Sequence, residues 1–186
     1  MKIGLVPGSF KPYHAGHDAL IRLAAQQNDK VIVFSSNIDR ARRGELAIDG
    51  SKMKIIMKDF IKPMLLQLGN VEVIDVGEGS TPVKEVFDIL KSAEKNGSTD
   101  TYTIHSDSAD VLKYTSEKLR KYAPSLFANR QITPIGVVRG VDTPDISGTK
   151  MREYLKSGNA AKFIEMLPDQ LKRNGKKIIT ILREKK

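Results

Sequence analysis

Two short segments of the chain place phosphate-binding residue types at useful spacings. The first is Pro7-Gly-Ser-Phe-Lys-Pro-Tyr-His-Ala-Gly-His17. Gly8 permits a sharp turn, and His14 and His17 stand three apart where a helix should begin. Residues at that spacing share a helix face, so both imidazoles can donate N–H to phosphate oxygens. A helix N-terminus adds unpaired N–H groups and partial positive charge, and Lys11 is read as a mobile cation beside them. The second segment is Asp145-Ile-Ser-Gly-Thr-Lys-Met-Arg152. Ser147 suits an N-cap, Thr149 offers a hydroxyl in the first turn, and Arg152 follows one turn later on the same side.

Neither segment is one of the common phosphate loops. There is no Gly-x-Gly-x-x-Gly fingerprint, and the one Gly-Lys pair, Gly175-Lys176, lacks the leading Gly and the Ser/Thr of a Walker A loop. Further basic groups cluster at Asp39-Arg-Ala-Arg-Arg43, where Arg40, Arg42 and Arg43 either clamp an anionic substrate or form a solvated loop. Arg139 is one more candidate at the end of a strand.

These residues need a scaffold, and the apolar pattern supplies one. Runs rich in Val and Ile at 2–6, 30–36, 71–76, 101–107 and 131–139 read as strands. Between them, 17–27, 51–68 and 83–95 carry apolar residues at spacings of three and four. A further helix covers 117–123, with a start as early as Ala109. Pro63 should kink or restart the 51–68 helix. After Arg139, helices are expected at 149–156 and 160–167, and 178–182 is open between an edge strand and a helical turn. Strand–helix alternation implies right-handed crossovers and a mostly parallel five-stranded sheet covered on both faces. Such α/β sheets bind ligands outside the carboxyl ends of their strands, where both segments fall.

Composition agrees with one globular domain of 186 residues and excludes several classes. With no cysteine there is no disulfide framework, thiolate zinc site or cysteine nucleophile. No run approaches the ~18 apolar residues of a membrane span, and the first strand is too short for a signal peptide. A soluble cytoplasmic protein is expected, and a homo-oligomer is compatible with the sequence. The net charge is +9, of which residues 172–186 supply six units. That segment is read as a solubilising, partly frayed end rather than a nucleic-acid tail.

Taken together, residues 8–17 resemble the (His/Thr)-x-Gly-His signature of the nucleotidyltransferase superfamily. Residues 146–152 are similar to that family's second signature, Ile-Ser-Ser-Thr-x-x-Arg. The resemblance spans residues 1 to about 156, leaving a basic segment at about 169–186. It implies a Rossmann-like fold and transfer of a nucleotidyl group from ATP or CTP to a phosphorylated small-molecule acceptor, releasing pyrophosphate. It also implies nucleotide-binding roles for Gly8, Ser9, Phe10, His14, Gly16, His17, Ser147, Thr149 and Arg152. His14, His17, Lys11 and Arg152 would act on the phosphates, and Mg²⁺ would be held through the triphosphate. Arg40, Arg42, Arg43, His105, Asp107 and Arg139 are the acceptor-side candidates.

Two departures from the family pattern stand out. Gly148 replaces a common Ser, and His105-Ser-Asp107 replaces a common Gly-x-Asp, so the His105 side chain would occupy space near the site. The His-x-Gly-His form favours adenylyl over cytidylyl transfer, with a sugar or polyol phosphate cytidylyltransferase as the alternative. Other classes are a zinc enzyme using His14, His17 and His105, and a nucleic-acid module using the tail and the 40–43 arginines. The paired motifs make sense without a metal, and the 6% aromatic content lacks a stacking platform for RNA.

Overall fold

The computed structural model describes residues 1–184. Five strands form one sheet: β1 (Lys2–Gly8), β2 (Lys30–Ser35), β3 (Val71–Asp75), β4 (Thr101–Asp107) and β5 (Ile132–Val137). Their order is β3-β2-β1-β4-β5, and every neighbouring pair is parallel. This is the doubly wound, Rossmann-like α/β architecture that the sequence pattern implies. The chain winds outward from β1 to β3, then crosses to the other side of β1 for β4 and β5. A crevice therefore opens between β1 and β4 at their carboxyl ends.

Strand composition follows from being covered on both sides. Val31-Ile-Val-Phe34 is buried throughout β2, as a central parallel strand requires. Alternate residues feed opposite cores: Val6, Val31 and Val33 join one cluster, while Leu5, Ile32 and Phe34 join the other. The first cluster packs α1 (Ala15–Gln27), α2 (Gly50–Ile56), α3 (Lys62–Leu66), α7 (Gly148–Ser157) and α8 (Ala160–Glu165). The second packs α4 (Pro82–Lys95), α5 (Ser116–Tyr122) and α6 (Pro124–Ala128).

Three segments differ from expectation. The helix expected at 51–68 is α2, a π-helical turn at Met57–Ile61, and α3. Pro63 sits in the first turn of α3, where a missing N–H is tolerated. The Lys62 N–H reaches the Met57 carbonyl five residues back, and this widened turn makes room for the proline ring. Upstream of α5 the chain forms only a 3₁₀ turn at Asp110–Lys113, so no α-helix starts at Ala109. Strand β5 is shorter than 131–139 because Arg139 and Gly140 turn away to bond Thr143.

The basic C-terminal segment is not a frayed end over its described residues. After the short α9 (Asp169–Lys172), α10 (Gly175–Arg183) buries Ile178, Ile179 and Leu182 in the first core. Gly175 lets it dock: a Cβ there would lie 2.5 Å from Ile164. The Lys52 ammonium bonds the Leu182 and Glu184 carbonyls at the helix end, and Arg183 bonds the Leu155 carbonyl. Apolar period outweighs charge here. Lys185 and Lys186 lie outside the described residues.

Candidate functional site

The carboxyl ends of β1, β4 and β5 frame a cavity of about 230 Å³. It is lined from one side by Gly8–Lys11, His14, Gly16 and His17, and from the other by Ile146–Thr149 and Arg152. A second cavity of about 440 Å³ continues over β2 toward the N-terminus of α4. Pro7, Gly8, Ser9, Arg40, Ser106 and Asp110 line both, so they form one cleft across the crevice.

The β1–α1 turn is built by close packing. A Cβ on Gly8 would fall 2.2 Å from the Phe10 ring, so only glycine lets the ring fold back onto the strand. Phe10 has φ +50 and is buried, meeting Tyr13 and His17 edge-on at centroid distances of 5.6 and 5.0 Å. It supports the loop from beneath as well as lining the cavity. Lys11 is not the mobile cation expected. It is buried, and its ammonium donates to the Ser36 carbonyl at 2.8 Å and the Ser9 carbonyl at 3.2 Å. Burial lowers its pKa to about 8.

His14 and His17 form the N-terminal cap of α1. The His14 Nδ1 accepts from the Gly16 N–H at 3.1 Å, and the His17 Nδ1 accepts from the His14 N–H at 3.2 Å. The rings stack with centroids 3.7 Å apart and planes at 18°. Gly16 permits this, since a Cβ there would lie 2.9 Å from the His14 ring. With each Nδ1 accepting, the neutral-ring proton must sit on Nε2. Burial holds the His14 pKa down at about 3 and that of His17 well below its ordinary value, with Arg139 beside both. Two neutral Nε2–H donors therefore replace helix-end amides at this rim: the Ala15 N–H bonds the Met166 carbonyl and the Gly16 N–H is already taken.

Across the cavity, Ser147 caps α7 by accepting from the Lys150 N–H at 3.2 Å. Among the described residues the Gly148 and Thr149 N–H groups have no bonding partner, so this helix end retains donors for an anion. Arg152 is buried along the same rim. It donates to the Lys11 carbonyl at 2.8 Å, the Thr149 hydroxyl at 3.1 Å and Glu45 at 3.2 Å. Its guanidinium lies so close over position 148 that a Cβ would meet it at 2.9 Å. A side chain at 148 would therefore have to share this space with the guanidinium.

The remaining candidates separate. Asp107 and Arg139 line the first cavity and pair with each other at 3.1 Å, while Asp107 also accepts from two amides. Arg40 lines both cavities and pairs with Glu45; Arg42 lines the second, and Arg43 lines neither. His105 does not face the cleft as expected. Its side chain is fully buried under β4, where Nε2 lies 3.2 Å from Asn28 and 3.0 Å from Thr103. Alternation along β4 turns it opposite to Ser106, and burial lowers its pKa to about 4. His105 therefore does not join His14 and His17, and no cluster of three metal-ligating side chains occurs among the described residues.

Over 75 residues, or 40% of its length, the chain is 36% identical to phosphopantetheine adenylyltransferase of Mycoplasma capricolum subsp. capricolum. Over that stretch the chain is similar in sequence to an adenylyltransferase. The same stretch length is 35% identical to phosphopantetheine adenylyltransferase of Mycoplasma mycoides subsp. mycoides SC. Each match spans 48% of the relative, about half its length. No protein-family model matches the chain. The fold is similar to that of Thermotoga maritima TmcAL in a crystal structure bound with alpha-thio ATP. That likeness has a TM-score of 0.52 at 16% identity, covering 96% of this chain and 56% of the other.

Residues that motif reading misses also line or brace the cleft. Glu45 links Arg40 to Arg152, and Lys113 and Tyr114 line the second cavity. Glu45 and Arg152 are 107 positions apart, so no local spacing signals the pair. Tyr114 is buried, and its hydroxyl has no partner among the described residues.

Proposed function

We propose that this chain transfers the adenylyl group of ATP to a phosphorylated small-molecule acceptor, releasing pyrophosphate. The observation that carries this reading is the His14–His17 pair. Two neutral, tautomer-fixed N–H donors stand on one rim of the cavity, opposite the α7 N-terminus and Arg152. Relatives named phosphopantetheine adenylyltransferase favour ATP over CTP and make 4′-phosphopantetheine the first acceptor to try.

In this reading an acceptor phosphate oxygen attacks the α-phosphorus. The new P–O bond forms as the bridge to the β-phosphate breaks, and pyrophosphate leaves with the bonding pair. A phosphate monoester is already mostly ionised at pH 7, its second pKa being about 6, so no general base is required. The chain supplies position and charge. His14 and His17 donate to the α-phosphate oxygens without changing protonation. The Gly148 and Thr149 amides, with Arg152, take the growing charge on the pyrophosphate.

Mg²⁺ enters as part of the substrate, MgATP. The two carboxylates lining the first cavity suit that role better than a resident site. Asp107 is engaged with Arg139 and two amides, and Asp110 with Lys113 at 2.8 Å. Incubation with MgATP or MgCTP and a panel of phosphate monoesters, followed by pyrophosphate detection, tests the reading. Release with ATP and one acceptor class supports it; release with CTP alone moves the chain to the cytidylyl side.

A further inference from the structure

We propose that Glu45 is a positioning residue for polyphosphate binding, holding the Arg152 and Arg40 guanidinium groups on the wall of the cleft. The inference rests on the function proposed above, because it concerns how that site receives a phosphate chain. The Glu45 Oε1 accepts from Arg152 at 3.2 Å and from Arg40 at 3.4 Å, and Oε2 accepts from the Arg40 Nε at 3.1 Å. One carboxylate thus joins the β2–α2 loop to α7.

The loop does not need this carboxylate to keep its path. Arg40 and Ile48 exchange backbone hydrogen bonds of 2.8 and 2.9 Å, Ile48 is buried, and Lys156 bonds the Gly44 carbonyl. What Glu45 governs is the location of two like charges. Arg152 is 4% exposed, and its Nε–H has no partner among the described residues. A desolvated guanidinium without a counter-charge is costly, and its neighbour Arg40 repels it. Without Glu45, both side chains gain by swinging toward solvent. With it, Arg152 stays over Gly148 beside the open end of α7.

Simple charge counting predicts the opposite result. A carboxylate on the wall repels polyphosphate, so its loss should tighten binding. The sign of the effect therefore separates positioning from charge. Inorganic pyrophosphate is the probe, titrated calorimetrically into the full chain as wild type, Glu45→Ala, Glu45→Asp and Glu45→Gln. Gln keeps the reach and one carbonyl acceptor while losing the charge. Asp keeps the charge but is too short to span both arginines.

We expect Ala and Asp to weaken pyrophosphate binding about ten-fold, the scale of one lost hydrogen bond to a charged group. Gln should fall between wild type and Ala, since it keeps one acceptor for the arginines but not the counter-charge. Thermal unfolding of each variant checks the fold, and if Glu45→Ala does not fold, the Asp and Gln pair decides alone. Unchanged or tighter binding in Ala or Asp overturns the role of Glu45, as does a Gln variant as weak as Asp. A wild-type chain that binds no pyrophosphate overturns both this inference and the function beneath it.

Discussion

The imidazoles of His14 and His17 lie 3.7 Å apart, each with Nδ1 closed onto a backbone N–H at the start of α1. Cap and proposed active site therefore share the same two side chains, Nδ1 closing the helix end and Nε2 left as the donor. His14→Ala removes the cap and should cost about 1 kcal/mol of stability, whereas His14→Asn restores a cap oxygen and should recover most of it. Both changes should reduce turnover by two orders of magnitude or more, the range for losing one preorganised donor to a developing charge. Denaturant unfolding and pyrophosphate release measure the two effects separately.

Acid should destabilise the fold in a defined window. His14 and His105 are buried with pKa values lowered to about 3 and about 4, against an ordinary 6.5. The unfolded chain takes up these protons as pH falls below 6.5, while the folded chain does not. Their contribution is complete above pH 6.5 and is lost progressively as pH falls toward 4, by up to about 1.4 kcal/mol per pH unit for each. Urea midpoints at pH 7.5 and pH 5 measure this, and His105→Gln should flatten the difference.

Gly148 should be required for function more than for folding. A Cβ at 148 meets the Arg152 guanidinium at 2.9 Å, and that guanidinium is tied to Lys11, Thr149 and Glu45. Gly148→Ala should leave stability within about 1 kcal/mol, because helix propensity offsets the displacement. ATP affinity should drop several-fold, as calorimetry can show.

The C-terminal helix separates charge from burial. Deleting residues 175–186 uncovers the core beneath Ile178, Ile179 and Leu182 and should lower the melting midpoint by roughly 10 °C or more. Replacing exposed Lys176 and Lys177 by Gln should change stability by less than about 0.5 kcal/mol. A scanning-calorimetry comparison distinguishes a packed helix from a solubilising tail.

The sheet was legible because its signal is local. The Val and Ile runs of β1 to β4 leave little choice of period, and Thr101–Asp107 appears with the bounds read from sequence. The two helix starts, His14 to His17 and Ser147 to Arg152, were legible for the same reason. Partnerships across the fold were not. Arg152 and Arg40 read as free cations until Glu45 is placed between them, and Lys11 reads as mobile until the Ser9 and Ser36 carbonyls close on it. His105 sits on a strand, where one residue of register decides between cleft and core. The tail reads as solubilising because its seven basic residues at 172–186 mask the spacing of Gly175, Ile178, Ile179 and Leu182, which packs it as a helix.

Adenylyl transfer itself is the most direct test. The full chain is incubated with MgATP and 4′-phosphopantetheine or another phosphate monoester. Pyrophosphate is quantified, and the adenylylated acceptor is identified by mass. The account predicts equal amounts of pyrophosphate and adenylylated product with wild type, and neither above background with His17→Ala. Failure to release pyrophosphate with any acceptor, or undiminished release by His17→Ala, would contradict it.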